Sequence, residues 1–104
     1  MDIKQLTDEM NRFVTAKGWY EPDSPYAQTP RNIASSIAIE AAEILEHFQF
    51  TEEAKDRAEL AGELADVALY LLQLAYLTEI DLEQAILDKL QQNYGRTWEG
   101  PGRG

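Results

Sequence analysis

Two pairs of carboxylates, Glu40 with Glu43 and Glu63 with Asp66, each stand three residues apart inside otherwise apolar stretches of a 104-residue chain. At helical spacing such a pair projects from one face and can converge on one point. Glu40 falls on the same line as Ile33, Ile37, Ile44 and Phe48, the stripe that must face the interior. The stretch around Glu63 and Asp66 is apolar around so much of its circumference that protein must cover most of it. Carboxylates carried into an interior cost several kcal/mol each unless they are paired or protonated, and a divalent cation resolves the conflict. Four oxygen donors without cysteine or histidine suit a hard ion, so magnesium is expected, with manganese as a substitute and zinc disfavoured. Such clusters keep coordination positions open to water and phosphate oxygens, the requirement of metal-assisted phosphoryl chemistry. One E-x-x-E on a solvated helix is commonplace. Two pairs on consecutive helices, made antiparallel neighbours by a short connection, form a more specific pattern. A di-iron bundle would need histidine three residues after glutamate, whereas His47, the only histidine, stands four after Glu43; support of the metal ligands is one reading of it, and an exposed or core-edge place is the preferred one.

Four helices are expected to position these groups. The first runs behind the N-cap Asp2 through Ile3, Leu6, Met10, Phe13 and Val14 and stops at Gly18. A loop with Pro22 and Pro25 follows from Trp19 to Thr29, long enough to be functional. Thr29-Pro30 opens the second helix, predicted to reach Phe50. Thr51, followed by Glu52 and Glu53, predicts the start of a third helix that continues through Leu60, Leu64, Val67, Leu71 and Leu74. Asp81 with Gln84 fits a capping box and opens a fourth, ended by Gly95. No strand-like alternation is sustained, so the fold class is all-α. Residues 1–96 read as one four-helix, bundle-like domain and 97–104 as a flexible tail.

Nineteen acidic residues against nine basic ones, a formal charge of -10, repel nucleic acid and anionic membrane surfaces. The apolar run from Leu60 to Leu77 approaches membrane-spanning length, but Glu63 and Asp66 inside it argue for a buried helix. Cysteine is absent and the N-terminus lacks the pattern of a secretory signal, so the cytoplasm is the expected compartment.

Between Trp19 and Tyr94 the residues resemble the all-α nucleoside triphosphate pyrophosphohydrolases, the MazG-like and dCTP pyrophosphatase group. The resemblance rests on Thr29-Pro30-Arg31-Asn32, on Ile39-Glu40-Ala41-Ala42-Glu43 through Gln49, on Glu63-Leu64-Ala65-Asp66-Val67, and on Lys89 with Asn93-Tyr94. It implies magnesium held by Glu40, Glu43, Glu63 and Asp66, and hydrolysis of a nucleoside triphosphate to the monophosphate and pyrophosphate in nucleotide-pool housekeeping. It also implies a homodimer or homotetramer in which helices of different subunits complete the pocket. Within that frame Arg31 and Lys89 are candidates for the phosphate chain, Asn93 for phosphate or sugar, Trp19 and Phe50 for stacking on the base, and Tyr70 for the sugar. Helix one lacks the histidine that some dCTP-type relatives place near the base, so a cytosine preference does not carry over. The competing reading is a non-catalytic nucleotide-sensing or interaction module that keeps the helical metal site without turnover.

Overall fold

The computed structural model describes residues 1–95. Four helices occupy them, α1 (Ile3–Ala16), α2 (Pro30–Glu46), α3 (Arg57–Leu77) and α4 (Leu82–Tyr94), with no strand among the described residues. Each begins where a short acceptor side chain satisfies the free N–H groups of a first turn. The Asp2 carboxylate accepts from the Gln5 N–H while the Gln5 side chain accepts from the Asp2 N–H, both at 2.8 Å, closing a reciprocal capping box. Thr29 caps α2 through its hydroxyl, with Pro30 at the first helical position. Gly18, at φ 73°, takes the left-handed turn that ends α1, and the Trp19 N–H closes it on the Val14 carbonyl.

Two expected boundaries are corrected. α2 stops at Glu46, short of Phe50, and α3 starts at Arg57 instead of Thr51. The physical reason is a competition between two N-cap residues: Asp56 accepts from the N–H groups of both Ala58 and Glu59, whereas the Thr51 hydroxyl is spent on the Glu53 carbonyl in a local turn. At α4 only half of the capping box forms: the Asp81 carboxylate accepts from the Gln84 N–H, but the Gln84 side chain donates forward to Asp88 instead of accepting from the Asp81 N–H.

The longest helix, α3, packs against both α1 and α2. Met10 and Val14 of α1 and Leu72 of α3 form the buried centre, with Ile3, Trp19, Tyr20 and Leu82 against it. No residue of α4 is buried. The radius of gyration, 16.2 Å, exceeds the ~13 Å expected of a compact chain this long. Leu64, Leu69, Leu71 and Tyr76 of α3 and Ile86, Leu87 and Leu90 of α4 are exposed. By length and composition α3 could cross a membrane, yet it carries Glu63 and Asp66 along its middle. The expected tail, 97–104, lies outside the described residues.

Candidate functional site

The α2–α3 pairing brings all four carboxylates into one electrostatic neighbourhood. Burial pushes the Glu40 carboxyl above its ordinary value near 4.5, and the charges of Glu43, Asp66 and Glu63 push it the same way. One Glu40 oxygen, Oε2, is buried without a hydrogen-bond partner among the described residues. The expectation of four interior carboxylates needs one correction. None of the four is fully buried: Glu40, Glu43 and Glu63 are half-buried, and Asp66, on the wall of an open cavity, is exposed in the single chain. A clustered set of negative oxygens with an orphaned member is the donor set that a hard divalent cation stabilises.

His47 was expected at the surface or the edge of the core. It is instead buried at the C-terminal cap of α2, and its Nε2 lies 2.7 Å from Glu63 Oε1. That contact fixes one oxygen of Glu63 and so orients its carboxylate. His47, Glu59 and Glu63 also offer ligand atoms within 4.8 Å of one another, a set that could itself hold a metal ion. The sequence signal for the His47 contact was weak, since its partner lies 16 residues away on the next helix.

Beside the carboxylates lies a cavity of about 710 Å³, lined by α1, the 19–29 loop, α2 and α3. Asp66, Tyr70 and Trp19 all contribute to its wall. Trp19 is held edge-on between Phe13 and Tyr26, with ring centroids at 5.5 and 5.8 Å. The remaining candidates stand elsewhere. Arg31 and Lys89 are exposed on α2 and α4, and neither lines the cavity. Asn93 is half-buried, and its Oδ1 has no hydrogen-bond partner among the described residues. Phe50 is 89% exposed beyond the end of α2 and borders a separate hollow formed with His47 and Lys55. The amide side chains of Gln28 and Gln73, which periodicity did not single out, also line the main cavity.

The result is a four-helix chain with paired carboxylates on two packed helices beside an aromatic-walled cavity. The MazG nucleotide pyrophosphohydrolase domain matches residues 28–97, and the chain belongs to that family. It is 32% identical to dCTP pyrophosphatase 1 of Rattus norvegicus and 31% identical to that of Homo sapiens, each alignment covering 91% of this chain and 56% of the relative. The chain thus spans little more than half the length of these curated relatives. The crystal structure of a pyrophosphatase from Archaeoglobus fulgidus superposes with a TM-score of 0.74 at 35% identity, over 86% of each chain.

Proposed function

We propose that this chain is a magnesium-dependent nucleoside triphosphate pyrophosphohydrolase of the cytoplasm that converts ribo- or deoxyribonucleoside triphosphates to monophosphate and pyrophosphate as nucleotide-pool housekeeping. The carrying observation is Glu40, whose pKa is raised by burial and by three neighbouring carboxylates and whose Oε2 has no partner among the described residues. Glu40, Glu43, Glu63 and Asp66 would hold the ion, with manganese able to replace magnesium. When bound, a divalent cation supplies neutralisation of phosphate oxygens and acidification of a water.

The chain's own residues do the rest. Glu43, half-buried beside Glu40, accepts the proton of the attacking water. His47 holds Glu63 in one orientation through the 2.7 Å contact. Trp19 offers a face to the base, and Tyr70, one turn beyond Asp66, reaches the sugar. Arg31 and Lys89 contact the phosphate chain, and Asn93 contributes its Oδ1 as an acceptor for a sugar hydroxyl. In one chain Arg31, Lys89, Asn93 and Phe50 stand off the cavity, so a second copy or the substrate's reach beyond the cavity is needed to engage them. The exposed apolar side chains of α3 and α4 support such a homodimer or homotetramer, since an unpartnered apolar face of that extent is unusual for a monomer.

The test is a panel of ribo- and deoxyribonucleoside triphosphates with magnesium, read by pyrophosphate release. Monophosphate and pyrophosphate should appear in equal amounts, and EDTA should stop the reaction. Nucleotide binding with no pyrophosphate from any member of the panel would replace the enzyme with a sensing module.

A further inference from the structure

Gln73 is a polar side chain only 3% exposed on the most apolar helix of the molecule, and the hydrolytic chemistry proposed above makes no use of it. Its surroundings determine which way its amide points. The Tyr26 main-chain carbonyl can only accept, and it takes a hydrogen bond from Gln28 Nε2 at 2.6 Å. Gln28 must therefore present Oε1 at its other end, where it accepts from Gln73 Nε2 at 2.7 Å. Tyr20 reinforces the arrangement: its hydroxyl donates to Asn11 Oδ1 at 2.5 Å and accepts from Gln73 Nε2 at 3.4 Å. Both amide hydrogens of Gln73 are thus engaged. Among the described residues no donor reaches its Oε1, and this oxygen is not among the atoms sealed from solvent, while Gln73 lines the large cavity. The result is an acceptor of fixed orientation at the cavity wall.

Its position says what it can meet. Asp66, Tyr70 and Gln73 follow one another along a single face of α3 and line the same cavity. From Asp66 to Gln73 the helix rises about 10 Å, comparable to the reach from a nucleotide's phosphate, past its sugar, to the outer edge of its base. The aromatic wall lies at the Gln73 end, because the loop residue Tyr26 that anchors Gln28 also packs against Trp19.

Resting on the pyrophosphohydrolase reading, we propose that Gln73 is a specificity-determining residue that reads the base through its carbonyl oxygen, held in one orientation by Gln28 and Tyr20. An acceptor that cannot exchange places with its own NH2 favours a base with an amino group at C4 of a pyrimidine or C6 of a purine, cytosine or adenine, over the keto counterparts uracil and hypoxanthine. The keto oxygen would face the Gln73 oxygen with no proton between them.

The experiment compares CTP with UTP and ATP with ITP, pairs differing at one amino or keto position, on the full chain with magnesium. Pyrophosphate release gives kcat/KM, and calorimetry with the α,β-methylene analogues gives affinity. Wild type should favour the amino member of each pair by on the order of 100-fold. Gln73→Met should bring each ratio to within a few-fold. Gln28→Leu, which leaves Gln73 in place but frees its amide to rotate, should narrow the ratios in the same direction with the helical circular dichroism unchanged. A merely structural role for the amides would alter stability without moving the ratios. Equal use of both members by wild type, or ratios undisturbed in both variants, overturns the base-reading role and leaves the hydrolase reading standing. Discrimination in binding without any hydrolysis supports the role of Gln73 and removes the hydrolase. Binding of no nucleotide at all overturns both.

Discussion

Two polar intrusions into the apolar interior of this chain are handled in opposite ways. The carboxylate cluster between α2 and α3 is left unresolved: four like charges converge, Glu40 is pushed towards its neutral form, and its Oε2 finds no donor among the described residues. The amide chain that Gln73 of α3 makes with Gln28 and Tyr20 is organised internally: the Gln73, Gln28 and Tyr20 donors all find acceptors, and among the described residues only Gln73 Oε1 is left for a ligand. A buried polar group costs little when its partners are supplied and a great deal when they are not. The first region is therefore the one that a ligand of opposite charge would stabilise, whereas the second is organised without one. In chemical terms the first region, which meets the cavity only through Asp66, offers charge, and the second offers shape.

Breaking the first region should have the larger effect. Glu40→Gln or Asp66→Asn removes one carboxylate charge from the set and should lower kcat/KM by at least about 10³-fold while leaving the helical circular dichroism intact. Unaltered turnover would remove that residue from the site. A smaller loss is expected one contact further out. His47→Leu deletes the group that orients Glu63 and should weaken magnesium or manganese affinity by roughly 10- to 100-fold, measured by titration calorimetry. An affinity equal to wild type would mean that His47 only fills space at the end of α2.

How far these regions could be read without coordinates differs in the same way. The carboxylate set was visible because it depends on local periodicity: Glu40 interrupts an apolar stripe, and helix geometry alone makes each pair converge. The caps Asp2, Thr29 and Asp81 were equally local. The boundary between α2 and α3 was not, because Thr51 and Asp56 are both good N-cap residues and only the number of N–H groups each satisfies separates them. The His47 contact with Glu63 and the Gln28 contact with Gln73 span 16 and 45 residues. Both depend on how α3 is rotated against its neighbours, which no periodicity reports. A glutamine in an apolar helix carries a signal, the oddity of its burial, but its partner has to be seen.

The contrast also fixes the sign of a pH effect. A carboxyl whose folded-state value is raised binds its proton more tightly in the native state than in the unfolded one, so stability falls as pH climbs through the interval above about 4.5. Without metal, thermal unfolding should therefore occur at lower temperature at pH 7 than at pH 5. Millimolar magnesium should offset the loss, since a cation that binds only the native state raises its stability by about 2.7 kcal/mol at 100 times its dissociation constant. Glu40→Gln should flatten the metal-free profile. A melting temperature indifferent to both pH and magnesium would mean that the cluster is not strained in the way its neighbours imply.

Disturbing the satisfied region should have the smallest consequence. Tyr20→Phe removes the hydroxyl that donates to Asn11 and braces Gln73, yet Gln73 Nε2 keeps its 2.7 Å bond to Gln28. Asn11 is only half-buried, so water can replace the lost donor. The expected cost is about 1 kcal/mol, the net worth of one ordinary hydrogen bond, read as a lower urea midpoint with an unchanged slope. Burial is the main reason that the Tyr20 phenol titrates above its ordinary value of 10.0, so the group is neutral throughout the working range and this cost should not vary between pH 6 and pH 8. A loss of several kcal/mol would show that the hydroxyl is essential to the whole amide chain, and the two regions would then differ less than their hydrogen-bonding suggests.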